Sequence, residues 1–366
     1  MPVMSADKIR EILSSIARQT GKNPALVTVN FANNSDTSQL ELVLVTPEGS
    51  TKRTLSGGTR KQVLDAANKF RSEITNPTKK STTSYLPVGQ QLYQWLVAPL
   101  EADMQEKRID TLIVSLHPAL RSLPLAALHD GNKFLIEKYS ISLIPSFSTI
   151  GDRYVDIKAS QVLAMGASKF AELNPLPGVP VELSIITQKV WKGKSFLNEE
   201  FTLNNLKSQR QPYGIIHLAT HADFQAGDSS NSYIQLGDSQ LKMNQLRQLR
   251  WNQPPQIELL VLSACRTALG DVDAELGFGG LAVQAGVKSA LASLWYVSDG
   301  GTLALMSEFY RQLSQPDVTI KAEALRRAQI AGVCADDVCG AALPCIFAQL
   351  GGIEAQLLKL AYVFLD

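Results

Sequence analysis

The sequence predicts an α/β protein built on an open, mostly parallel sheet. The first observation is a set of short apolar runs rich in Val, Ile and Leu. They are TLIVSL (111–116), ISLIP (141–145), VLAMG (162–166), GIIHLA (214–219), ELLVLSA (258–264) and SALASLW (289–295). Continuous runs of this kind suit strands covered on both faces, as in a parallel sheet under helices. The second is that helical patterns alternate with these runs, at Glu182–Trp191, Met243–Leu249, Leu276–Gly286, Thr302–Leu313 and Lys321–Ala331. Strand alternating with helix is the signature of an α/β sheet. The third is composition: 45% apolar against 19% charged residues is core-rich and globular. A length of 366 residues fits two ordinary domains, or one large α/β unit with an added lobe.

The first stretch, MPVMSADKIREILSSIARQTGK, has an amphipathic helical pattern with mixed charges. It lacks the charged-then-apolar order of a secretion signal. No run approaches the roughly 20 apolar residues of a membrane span. The expectation is a cytoplasmic protein without a membrane partner. Leu26–Phe31 and Leu40–Thr46 flank a polar turn and read as a hairpin, and Thr59–Ile74 reads as a helix. Residues 76–84, NPTKKSTTS, form a polar stretch that reads as a linker after an N-terminal α/β lobe, residues 1–75. Lys+Arg 35 against Asp+Glu 34 gives a net charge of +1, which argues against a dedicated nucleic-acid binder. No repeat of 20–50 residues is visible, so the chain is not itself a solenoid.

The scarce reactive residues narrow the chemistry. There are four His and four Cys: His117, His129, His217, His221, Cys265, Cys334, Cys339 and Cys345. Four Cys in this length are no disulfide scaffold. Cys334, Cys339 and Cys345 do not have zinc-like spacing. In open α/β sheets, ligand sites lie beyond the carboxyl ends of the strands. That rule selects His221, just after GIIHLA, and Cys265, just after ELLVLSA. His217 lies inside its strand, on the same side as Ala219 and His221 if the strand stays regular. A thiol near neutral pH is mostly protonated. A neighbouring imidazole can take its proton, and the thiolate can then attack a carbonyl. Backbone N–H groups beside these residues can hold the developing oxyanion. Taken singly, a Cys after a strand is more often a small buried apolar residue, and a His there a structural hydrogen-bonder.

Two further segments belong to the same sheet edge. The loop RTALGDVDAELGFGG (266–280) is polar and Gly-rich, with Gly270, Gly277, Gly279, Gly280 and the acids Asp271, Asp273 and Glu275. It reads either as a movable loop near the thiol or as a solvated turn. In SLWYVSDGGT (293–302), Asp299 follows an aromatic pair. An acid there binds a basic side chain, or else Ser298 or Asp299 caps the helix from Thr302.

At this point the motifs resemble a known family. HLATHADF, LLVLSACRTALGD, ELGFGGLAVQAGVKSALASLW and WYVSD resemble the CHAT domain, a caspase- and separase-like clan of cysteine peptidases. LHPALRSLPLAALHDGNKFLIEKYSISLIPS is similar to its first half, and LPGVPVELSIIT (176–187) to its middle element. The likeness covers about residues 26–330. Ala264-Cys265-Arg266 follows His221 by 44 residues, close to the spacing of about 50 between His and Cys in caspases.

The resemblance implies a caspase-like three-layer sandwich with a mostly parallel central sheet, plus the small N-terminal lobe. The domain would be 85–366, with a first half at 85–150 and an active half at 160–330. Cys265 maps to the nucleophile, His221 to the general base and Asp299 to the pocket for a basic residue before the cut. Ala222, where the family usually has Gly, supplies a backbone oxyanion donor. His117-Pro118 stands where the family often has Asp-Gly. The segment after residue 331 carries Cys334, Cys339 and Cys345 and does not match the family's closing apolar strand.

The expected function is a cysteine endopeptidase acting after a basic residue, with no cofactor and no metal. Its partners would be a protein or peptide substrate and a regulatory protein. The other reading is a catalytically inactive interaction module with the same fold. A third is a precursor nicked in an exposed loop, at 266–275 or 227–232.

Overall fold

The structure, a computed structural model, describes residues 5–49, 51–79, 82–144, 153–208, 212–223, 232–249, 251, 253, 256–264, 286–294, 299–333 and 362–365. The chain divides into two compact units, Met1–Tyr154 and Val155–Asp366.

The first unit opens with α1 (Ala6–Thr20). Ser5 caps it by accepting from the Lys8 N–H, and Gly21 ends it at φ 69°. A Cβ is strained at that φ, so glycine is the natural stop. The strands β1 (Pro24–Phe31), β2 (Gln39–Val45), β3 (Lys52–Thr59), β4 (Thr111–Leu116) and β5 (Ser140–Leu143) follow. Their order in the sheet is β3-β2-β1-β4-β5. β1–β2 and β2–β3 are antiparallel, while β1–β4 and β4–β5 are parallel.

Ile9 and Leu13 of α1 pack with Leu26, Val45, Ile113 and Ile144. α2 (Arg60–Thr75) begins with a capping box, in which Thr59 and Gln62 each bond the other's backbone N–H. The expected linker, 76–84, runs from α2 towards α3 (Leu86–Leu96), and residues on both sides of it share this sheet through the β1–β4 ladder. After α4 (Ala98–Glu106) and α5 (Leu135–Lys138), the Lys138 Nζ meets Glu101 Oε1 at 2.6 Å and Tyr93 Oη at 3.0 Å, with Asp130 also paired to it. That half-buried cation is held by two carboxylates and a phenol.

The second unit holds β6 (Gln161–Gly166), β7 (Gly193–Leu197), β8 (Tyr213–Ala219), β12 (Leu259–Ser263), β13 (Ala290–Ser293) and β14 (Tyr362–Leu365). Their order is β14-β13-β12-β8-β6-β7. The pairs from β13 through β12, β8 and β6 to β7 are all parallel, and β14 joins β13 antiparallel. Every residue of β8 and of β12 is buried, which explains their unbroken apolar runs.

Helices α6 (Gly178–Ser184), α8 (Asp299–Leu313) and α9 (Lys321–Val333) lie on one face. Val179, Leu183, Leu305, Met306, Phe309 and Leu325 meet Val162, Ala164, Ile215, Ala219, Val261 and Leu291 there. α7 (Leu203–Ser208) precedes β8. A separate three-stranded antiparallel sheet is made by β9 (Ala222–Asp223), β10 (Tyr233–Gln235) and β11 (Gln240–Lys242).

Several sequence expectations change. The helical segment at 182–191 starts earlier, at Gly178, and passes into a π-helical stretch, Ile185–Val190. Met243–Leu249 is a 3₁₀ helix. β3 and β7 escaped the reading because KRTLSGGT and GKSFL lack a sustained apolar pattern. The closing strand is present: Tyr-Val-Phe-Leu pairs with β13, because four β-favouring apolar residues suffice for a short antiparallel partner. The expected helix at 276–286 lies outside the described residues except at Gly286, and Cys334, Cys339 and Cys345 lie wholly outside them. Among the described residues no helix is long and apolar enough to cross a membrane.

β6 and β8 approach closely where Gly166 pairs with Ala219. A Cβ on Gly166 would stand 2.6 Å from the Ala219 carbonyl oxygen and 2.7 Å from Val179. Gly166→Ala is expected to cost about 1–3 kcal/mol, read as a lower urea midpoint. An unchanged midpoint would mean that the two strands part without penalty.

Candidate active site

The site grows from the parallel β8–β12 ladder. His217 lies opposite Val261, and Ala219 opposite Ser263. The ladder runs one step further, where the Thr220 N–H donates to the Ser263 carbonyl at 3.3 Å. His221 follows at the carboxyl end of β8, where the chain turns into β9.

His221 is held from three sides. Its Nε2 lies 2.7 Å from the Asn174 carbonyl oxygen. A carbonyl only accepts, so Nε2 carries the hydrogen, and the neutral ring keeps its lone pair on Nδ1. The Phe170 ring packs against the imidazole, 4.8 Å between centroids at 59°. The His221 carbonyl accepts from the Gln235 N–H at 2.9 Å. The neighbouring Thr220 hydroxyl donates to the Gln235 carbonyl at 2.7 Å. This arrangement leaves Nδ1 as the proton-accepting atom.

Ala222 is the first residue of β9 and pairs with Ile234. The Gln235-to-His221 bond makes Ala222–Ile234 a non-hydrogen-bonded pair, so the Ala222 N–H is not spent on β10. The positive-φ residues other than glycine, among those described, are Arg108 and Asn198. Ala222 therefore sits in ordinary extended backbone, and a methyl group in place of the family's glycine introduces no strain.

Asp299 is the first residue of α8, and its Oδ2 accepts from the Gly178 N–H at 2.6 Å, at the start of α6. Burial raises its pKa above the usual carboxylate value. The Gly178 N–H opposes that rise, the Glu182 charge adds to it and His221 opposes it. His221 and Asp299 are thus close enough to interact electrostatically.

Cys265 lies outside the described residues, as do the loop 266–280 and residues 295–298. What the structure places is the approach to Cys265. Ser263 ends β12, and the Ala264 carbonyl accepts from the Ser293 hydroxyl. His217, inside β8, is fully buried beneath the site. Its Nε2 is 2.8 Å from Glu182 Oε1, and its Nδ1 is 3.2 Å from the Tyr310 hydroxyl. The Ser263 hydroxyl donates to the same Glu182 oxygen at 2.7 Å.

Sequence reasoning missed Asn174, Phe170, Gln235, Glu182 and Tyr310. Asn174 and Gln235 hold the histidine through backbone atoms, which leave no mark in residue type. Glu182 did leave one: it is a lone acid among apolar residues in PVELSII. Among the described residues, no group of three His, Cys, Asp or Glu is placed to hold a metal ion.

Comparison with known proteins sets this geometry in context. The CHAT domain family matches residues 86–337. The chain belongs to the CHAT domain family. Among solved structures, this CHAT chain is similar to separase of Saccharomyces cerevisiae in its complex with securin. There the TM-score is 0.58 at 12% identity, with 98% of this chain covered and 31% of the separase chain. It is also similar to the Arg-specific cysteine proteinase gingipain R, RgpB of Porphyromonas gingivalis, with a TM-score of 0.46 at 10% identity over 84% of this chain and 74% of that one. No curated protein matches the chain. The CHAT fold here is the caspase-like α/β arrangement.

The raised pKa of Asp299 has a consequence for stability. An acid whose folded pKa lies above its unfolded value binds more protons when folded, so its contribution falls as pH rises through that window. Asp299→Asn keeps an oxygen for the Gly178 N–H and removes the titration. The stability of Asp299→Asn relative to wild type should therefore rise from about pH 3 towards neutrality. Parallel pH curves in denaturant titrations would contradict the burial of this carboxylate.

Proposed function

We propose that this CHAT-domain protein is a cysteine endopeptidase that cuts after a basic residue. The observation that carries the reading is the β8–β12 register together with the sequence beyond it. Ala219 faces Ser263, and His221 and Cys265 each follow two residues later. The imidazole is held with Nδ1 free, the atom that a dyad needs.

In this reading, His221 Nδ1 removes the Cys265 thiol proton. The thiolate then attacks the carbonyl carbon before the scissile bond. Negative charge builds on the carbonyl oxygen, where the Ala222 N–H donates to it. The imidazolium returns its proton to the leaving amine, and an acyl-thioester remains on Cys265. Water, deprotonated by His221, hydrolyses that thioester and regenerates the thiol. Asp299, facing the Arg or Lys before the cut, pairs its charge in a partly desolvated setting. Its bond to Gly178 uses one carboxylate oxygen and orients the group. The separase neighbour was solved with securin, and a regulatory protein partner for this chain belongs to the same proposal.

The alternative of an inactive interaction module draws on Ala222 in place of glycine. The extended backbone at Ala222 weakens that motive.

A panel of Arg, Lys, Asp and Met peptides tests the proposal. Wild type should cut the Arg or Lys members, and Cys265→Ala and His221→Ala should lose about 10³-fold or more in kcat/KM. Asp299→Ala should reduce the preference for Arg by about tenfold or more. Cleavage retained in Cys265→Ala removes the peptidase assignment. An unchanged Arg preference in Asp299→Ala removes only the pocket.

A further inference from the structure

The chemistry above leaves Glu182, the most deeply buried glutamate among the described residues, unused. Glu182 is 1% exposed and His217 0% exposed, between β8 and β12 on one side and α6 and α8 on the other. A buried carboxylate must be fully hydrogen-bonded to be tolerated. The bonds here form a chain with one consistent direction. The Tyr310 O–H donates to His217 Nδ1, His217 Nε2–H donates to Glu182 Oε1, and the Ser263 O–H donates to the same oxygen. Burial, reinforced by the Glu182 charge, holds the Tyr310 phenol well above its ordinary pKa, so that it stays a donor.

The arrangement is costly where apolar residues surround it on every side. Replacing buried charged groups by well-packed apolar ones is often neutral or stabilising. What the carboxylate does that an apolar side chain cannot is to bond two strands at once. His217 of β8 is four residues before His221 in the sequence, and Ser263 of β12 is two residues before Cys265. Glu182 also belongs to α6, whose first N–H holds Asp299.

We propose that Glu182 is a positioning residue: one buried carboxylate, tied to His217 and Ser263, sets how β8 and β12 present His221 and Cys265 to each other. The inference rests on the peptidase reading above. Apolar contacts alone allow small sliding of neighbouring strands, and a shift of about 1 Å between reacting groups can cost 10²-fold in rate.

The test reads the dyad directly. The alkylation rate of Cys265 by iodoacetamide is followed by peptide mass spectrometry from about pH 5 to 9, in wild type, Glu182→Gln, Ser263→Ala and His221→Ala. Peptide cleavage and thermal unfolding are measured alongside. Glu182→Gln keeps the size of the side chain. It should slow alkylation near neutral pH by about tenfold or more and move its pH profile towards that of His221→Ala. Cleavage should fall through kcat, with KM within about threefold. Ser263→Ala, which cuts one tie, should shift the profile in the same direction by a smaller amount.

A purely structural Glu182 lowers the unfolding temperature and leaves the profile of the folded protein at wild type, which overturns the proposal. If Glu182→Gln does not fold, Ser263→Ala decides: a wild-type profile there overturns it as well. A wild-type profile that ignores His221→Ala means that no dyad exists, and it removes the peptidase reading together with this inference.

Discussion

The parallel ladder between β8 and β12 is the constraint on which the rest of the second unit depends. Both strands are buried along their whole length, so their backbone groups have no access to water. Their N–H and C=O groups must pair with neighbouring strands. A one-residue slip would move each set of side chains to the opposite face of the sheet. Ile215, Ala219 and Val261 would then leave the helix-facing core, and His217 would lose Glu182 and Tyr310. Burial, hydrogen bonding and the polar network therefore all enforce the same register.

That register matters to the proposed dyad because His221 and Cys265 each follow the paired residues Ala219 and Ser263 by two positions. His221 is the first residue on β8's side that is free of the core, yet it is not loosely held. The Asn174 carbonyl settles its tautomer, Phe170 settles its plane, and Gln235 settles its backbone. Two of those three contacts come from backbone atoms, which preserve their geometry whatever the side chain. The Ser293 side-chain hydroxyl in turn donates to the Ala264 carbonyl, next to Cys265 in the sequence. Such a site gains its precision from a rigid scaffold and short connections rather than from many polar side chains.

Two polar networks, one half-buried and one buried, use charge in different ways. In the first unit Lys138 of α5 gathers Glu101 of α4, Tyr93 of α3 and Asp130, and so ties helices together. In the second unit Glu182 joins β8, β12 and α6, which are far apart in sequence, and Tyr310 adds α8. Burying a large aliphatic or aromatic side chain is worth about 1.5–3 kcal/mol each. The apolar residues around Glu182, such as Leu183, Val261 and Phe309, are numerous enough to hold the layers together without it. The carboxylate's distinctive contribution is directional, since apolar contact has no preferred alignment along a strand.

By itself, the sequence determined the class of fold and the positions of the buried strands, because unbroken apolar runs require cover on both faces. It also singled out His221 and Cys265, since two scarce reactive residues follow two such runs. Helix starts and edge strands were less legible. β3 and β7 bury too little to need an apolar pattern, and α6 begins in a Gly-Pro segment that resembles a turn. Only the tertiary structure decided which nitrogen of His221 is free, that Ala222 is tolerated, and that Asp299 holds the first N–H of α6. It alone brought Glu182 between His217 and Ser263. These outcomes depend on backbone carbonyls, on backbone angles and on contacts between residues 35 to 121 positions apart. Residue identity records side chains, whereas distance in space and the direction of a carbonyl exist only once the chain has folded.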